Sequence, residues 1–180
     1  DKRLSLACVM PELGMGSRLK NNAELPNSVF FHLATWHTIN FAYTRKMWRS
    51  FQDISPDVVD NVRFERLLNV VRSQAGHHLA MRVEEAKIAL SSEARFALDL
   101  VEAEAGLLAQ IAREQFEDAI AQETARVCAA AQATLLQAGI KADDIDTLFF
   151  TGGSSAVPAL RAALAAAFPA ADDLVAHLHA

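Results

Sequence analysis

An α/β fold is predicted by three features of this 180-residue chain. Leu79, Val83, Ala86 and Leu90 recur at i, i+4, i+7 and i+11, the spacing of one buried helical stripe. Phe96, Leu98 and Leu100 alternate with Ala97, Asp99 and Val101, as a half-buried strand does. Asp146-Thr147-Leu148-Phe149-Phe150 reads as a buried strand, and a Gly152-Gly153 loop leads from it to a helix opened by Pro158. Composition agrees: 52% hydrophobic residues are too many for a disordered chain, and 180 residues can bury a core as one domain or two joined subdomains.

Along the chain, residues 2–10 fit a short helix that stops before Pro11, because the residue ahead of a proline avoids the α region. Residues 11–28 hold the breakers Pro11, Gly14, Gly16, Asn21-Asn22 and Pro26 and read as irregular. The mixed apolar segment Val29 to Phe51 carries Trp36 and Trp48, with a helix expected over Phe30 to Tyr43. Ser55-Pro56 looks like a helix start, serine as N-cap and proline at the first helical position, and Val59, Val62, Leu67, Val70 and Val71 follow at near-helical spacing. Gln74 to His78 should interrupt it before the striped helix over 79–92. The alternating strand turns through Glu102 to Gly106 and returns along Leu107 to Ile111 as a hairpin. An Ala-rich helix then runs from Arg113 to Gln137 and ends at Gly139, a suitable C′ residue, and the last helix reaches Ala167.

Several chemistries are excluded or thinly supported. A net charge of −5 argues against a nucleic-acid groove. No apolar run approaches the roughly 18–20 residues of a membrane span. Cys8 and Cys128 lie far apart in ordinary apolar contexts, which fits a reducing, cytoplasmic setting and offers no disulfide framework. None of the histidine pairs, His32/His37, His77/His78 and His177/His179, has the i, i+4 spacing of helical metal ligands, so no metal site is expected. Glu84-Glu85, Glu102 and Glu104, Asp143-Asp144 and Asp172-Asp173 read as solvated acidic faces. Gly152-Gly153-Ser154 is neither a Walker A loop nor a nucleophile elbow, since Ala156 stands where the elbow needs glycine. It is either a plain turn or a strand–loop–helix junction offering backbone N–H groups to an anion or ribose-phosphate. Glu84, Lys87 and Ser91 share one helical face about 120° from the buried stripe. That trio is either an ordinary surface ion pair or a site for hydroxyls and a heterocycle edge.

Three segments in register carry a resemblance. Glu84-Glu85-Ala86-Lys87-Ile88-Ala89-Leu90-Ser91-Ser92 resembles the E-x-A-K-x-x-L-S segment of the DnaK-type, seventy-kilodalton heat-shock chaperones. Ile111-Ala112-Arg113-Glu114-Gln115-Phe116-Glu117 is similar to their I-T-R-x-x-F-E, and Leu148 to Pro158 to their adenosine motif, a strand followed by G-G-S-x-x-x-P. The stretch from Met10 to His37 resembles the divergent YegD-like bacterial subgroup. The resemblance implies the second lobe of an actin-like ATPase fold. Its inner, sheet-bearing subdomain would be residues 1–13 and 112–180, its insertion 14–40, and its mostly helical outer subdomain, with the hairpin, 41–111. It implies adenosine contacts from Glu84, Lys87, Ile88 and Ser91 on one side and Gly152, Gly153 and Ser154 on the other. Ile88 and Ala156 stand where the family usually has basic residues that stack on adenine. The cofactor implied is ATP or ADP, with Mg2+ in the intact parent.

No D-x-G-T-x-x and no I-D-x-G-G-G-T-x-D segment occurs, so the phosphate loops that phosphoryl transfer needs are missing. The chain, which begins without Met, is expected to be a piece of a chaperone ATPase domain that keeps an adenosine half-site and does not hydrolyse ATP by itself. Expected partners are an adenine nucleotide, the first lobe of the parent, a nucleotide-exchange or co-chaperone protein, and a second copy through an exposed lobe interface; no nucleic acid or membrane is expected. The alternatives are a pseudo-ATPase interaction module and a lobe of an actin-superfamily sugar or acyl-phosphate kinase.

Overall fold

A computed structural model describes residues 1–175. Internal contacts divide the chain into two compact units, Asp1–Phe116 and Glu117–Ala180.

The first unit opens with a helical run of changing pitch: α1 (Lys2–Leu4), a π-type segment Ser5–Val9 and a 3-10 segment Met10–Leu13. The run passes Pro11 instead of stopping before it. Pro11 lies at the start of the 3-10 segment, where a missing N–H leaves no bond unmade. Gly14 ends it in the left-handed conformation, φ +96°. Leu4, Val9, Met10 and Leu13 are all fully buried, and residues 1–13 fall within the first compact unit.

Residues 14–27 are largely irregular, as expected. The helix expected over 30–43 is two segments: α2 (Ser28–Leu33) and a 3-10 stretch Trp36–Tyr43, separated by the extended Thr35. A helix absent from the sequence expectations follows, α3 (Arg45–Ile54), where Thr44 Oγ1 accepts the Met47 N–H at 3.3 Å. Ser55-Pro56 does not start the next helix but closes α3 as a short 3-10 turn; Val58 is extended, and α4 (Asn61–Arg72) starts on Asp60, whose Oδ1 accepts the Arg63 N–H at 3.0 Å. Val59 and Val62 are consequently exposed, and Phe64, Leu67, Val70 and Val71 form the buried face.

The interruption expected over 74–78 is shorter, with Gln74 left-handed, and α5 (Gly76–Ser92) takes in Gly76-His77-His78. The Gly76 N–H donates to Tyr43 Oη at 2.8 Å, and a Cβ here would lie 2.5 Å from that oxygen and 2.7 Å from Ile39 Cγ2. Only glycine allows this approach. The stripe Leu79, Val83, Ala86 and Leu90 is buried as its spacing predicts. The hairpin is β1 (Arg95–Asp99) antiparallel to β2 (Leu108–Ala112), with Phe96 opposite Ile111 and Leu98 opposite Ala109. Arg66 ties its turn to the chain start, pairing with Glu104 and, at 3.1 Å, with Glu12.

Next comes α6 (Arg113–Ala138), which Gly139 ends at φ +70° as expected. Arg113 Nε donates to Leu90 O at 2.8 Å, fastening the start of α6 to the end of α5. The second unit then has β3 (Thr147–Phe150), α7 (Pro158–Ala167) and β4 (Asp172–Val175), with β3 and β4 parallel and Thr147 opposite Asp172. Asp172 and Asp173 therefore sit in a strand that their charges disguised. The strand 147–150 is not buried throughout: Phe150 is covered, but Phe149 is 67% exposed. The expected histidine pair His177/His179 lies outside the described residues. No described helix is long and apolar enough to cross a membrane.

Candidate functional site

The singled-out residues form two groups, one on each unit. On α5, Glu84, Lys87 and Ser91 lie on one face, as a rise of one turn per 3.6 residues requires. Lys87 Nζ donates to Glu84 Oε1 at 2.9 Å and meets Asp1 Oδ1, also at 2.9 Å. Lys87 is buried, and a buried ammonium persists only when paired and hydrogen-bonded. Asp1 was invisible to sequence reasoning: it is remote from Lys87 along the chain, and no periodicity links them. Ser91 Oγ donates to the Lys87 carbonyl at 3.0 Å and keeps its lone pairs to accept with.

Electrostatics set the protonation of this group. The Lys87 ammonium, through its hydrogen bond and its charge, holds the Glu84 carboxyl below the usual carboxylate range. Glu84 is thus ionised at neutral pH, and its side chain is half exposed. Two of the three ammonium protons are engaged, leaving one donor. A carboxylate acceptor, an ammonium donor and a hydroxyl one turn apart can hold a vicinal diol or a heterocycle edge. Ile88 stands beside them, 62% exposed, as an apolar surface. A cavity of about 360 Å³ also borders Glu84, walled by Asp1, Ser5, Trp36 and Met81, but Lys87, Ile88 and Ser91 do not line it.

The second group is the turn after β3. Gly152 has φ +83° and ψ 161°, a conformation that requires glycine, and a 3-10 turn Gly153–Ala156 follows. Ser155 Oγ donates to Gly152 O at 2.6 Å and braces the turn. Gly153 differs from Gly152: its φ is ordinary, and a Cβ built on it meets nothing within 4 Å. Packing among the described residues therefore gives no reason for glycine at 153. Its flat backbone leaves room for a ligand to approach, and the first N–H groups of a 3-10 turn have no intrahelical acceptor. Ser154 is exposed beside it. Ala156 presents no side chain that could stack on a ring.

Comparison with known proteins bears on both groups. A sequence profile described as Hsp70 protein matches residues 57–174. The match takes in α4, α5, the hairpin, α6, the glycine turn and α7. It covers well over half of the chain, and the chain belongs to the Hsp70 family.

Proposed function

We propose that this chain is the second lobe of a DnaK-like chaperone ATPase domain and supplies the adenosine half of its nucleotide site. The ionised Glu84, held by the buried Lys87, carries the reading. In it, Glu84 accepts from a ribose hydroxyl, Lys87 donates its remaining N–H, Ser91 hydrogen-bonds the base edge, and Ile88 packs against the ring. Gly152, Gly153 and Ser154 are read as a flat, donor-bearing backbone for a nucleoside. ATP or ADP is the cofactor, with Mg2+ and the phosphate loops belonging to the first lobe of the parent. The Hsp70 match supports this over a sugar or acyl-phosphate kinase.

The test is calorimetric titration of the full chain with ADP. Glu84→Ala removes the carboxylate at a half-exposed position, and Gly153→Val fills a space empty within the chain. Both variants should keep the helical circular-dichroism spectrum and lose at least about tenfold in affinity, the size of a hydrogen bond to a charged group. Binding that survives both substitutions overturns the assignment.

A further inference from the structure

We propose that a second cavity, against α3 and independent of the nucleotide reading, binds a phosphate monoester carried on a ring. The cavity has a volume of about 310 Å³ and is lined by Tyr43, Arg45, Trp48, Arg49, Gln52 and Gln74. Arg45, Trp48, Arg49 and Gln52 fall at i, i+3, i+4 and i+7, so α3 turns one continuous face toward it. Arg45 and Arg49 are exposed, and neither makes an ion pair or a side-chain hydrogen bond among the described residues. The contrast is Arg72, which stacks over the Trp48 ring at 5.5 Å and pairs with Glu65 at 3.3 Å.

Packing alone does not explain two guanidiniums that make no direct ion pair among the described residues. Like charges at i, i+4 destabilise a helix, and the first turn of α3 contains no acid to offset its cations. The chain carries a net charge of −5, so acids are plentiful, yet none lines this cavity. An anionic ligand supplies the missing charge.

The donor set decides which anion fits. Arg45 and Arg49 each present a planar fork of N–H groups, and Gln52 and Gln74 add amide N–H donors. Tyr43 Oη accepts from the Gly76 N–H at 2.8 Å, which leaves its own proton to donate. One guanidinium satisfies a carboxylate; two, with amides and a phenol, match the oxygens of a phosphate monoester. The cavity exceeds the size of a bare phosphate and lies at the small end of organic-ligand sites. Trp48 and Tyr43 supply aromatic surface for the body that carries the phosphate.

Trp48 also reports on the site. The chain has only Trp36 and Trp48, so Trp36→Phe in the full chain isolates Trp48 fluorescence. Titration with phenyl phosphate should give a saturable change at least about tenfold tighter than with phenol, benzoate or inorganic phosphate, as loss of a charge-assisted contact or of the ring predicts. Arg45→Gln with Arg49→Gln should weaken phenyl phosphate by about tenfold or more without lowering the urea midpoint, because removing two like charges does not destabilise α3. Absence of a saturable response overturns the proposal. So does equal binding of phenol or benzoate, or unchanged binding by the double variant. Inorganic phosphate binding as tightly as phenyl phosphate overturns the assignment of a ring-bearing ligand.

Discussion

The two units differ in how they bury apolar surface. Up to Phe116, a continuous set of large side chains is fully covered, among them Phe30, Leu33, Leu67, Leu79, Leu90 and Ile111. Among the described residues beyond it, the buried hydrophobics are Phe150, Val157 and Phe168, while Leu136 is 82% exposed and Phe149 nearly as open. The sheets differ in the same sense. The antiparallel hairpin can leave one face wet, but parallel strands are normally covered on both faces and do not stand as a pair. Residues 1–116 thus hold a core of their own, whereas among the described residues β3 pairs with β4 alone.

Substitutions of equal chemistry should separate the units most strongly. Phe30→Ala should cost about 3–5 kcal/mol, the range for truncating a buried aromatic, and lower the urea midpoint accordingly. Phe149→Ala should change stability by no more than about 0.5 kcal/mol, as exposed positions do. A large stability loss from Phe149→Ala would erase the contrast. Next in size, Gly76→Ala should cost about 1–3 kcal/mol by overpacking against Tyr43 and Ile39. Gly153→Ala, glycine for alanine in the other unit, should leave the urea midpoint within about 0.5 kcal/mol, since its Cβ meets nothing.

Glu84 gives the smallest stability effect, and its sign is fixed. Its folded-state pKa is depressed by Lys87, so its contribution is present above the ordinary carboxylate value of about 4.3 and is lost as pH falls through the folded value. Denaturation curves between about pH 5 and pH 3 should therefore fall less steeply for Glu84→Gln than for the unaltered chain. Equal slopes would mean that the Glu84–Lys87 bond contributes nothing to folding.

Much of this was legible in the sequence, for identifiable reasons. The stripe on α5, the hairpin alternation, the α6 stop at Gly139 and the Pro158 start are local signals, and each falls where its pattern placed it. The misplacements arose where two local signals competed. Ser55-Pro56 has the form of a helix start, but Asp60 offers an equally good cap five residues later, and Val58 takes the extended turn between them. Basic Arg45-Lys46 and Arg49 masked α3, and Asp172-Asp173 masked β4, because charge at a strand or helix edge looks like a loop. That Glu84, Lys87 and Ser91 share one face was readable from spacing, whereas their reading as a site came from the family resemblance. Asp1 was not, since only the tertiary fold brings it to Lys87.

The central claim is that this chain holds an adenosine half-site and lacks the phosphate loops. Calorimetric titration of the unaltered chain with adenosine and, separately, with ADP tests it most directly. The account predicts that both bind, with affinities within about threefold, roughly 0.7 kcal/mol, because the diphosphate finds no loop to hold it. ADP binding far tighter than adenosine, or adenosine failing to bind at all, would contradict it.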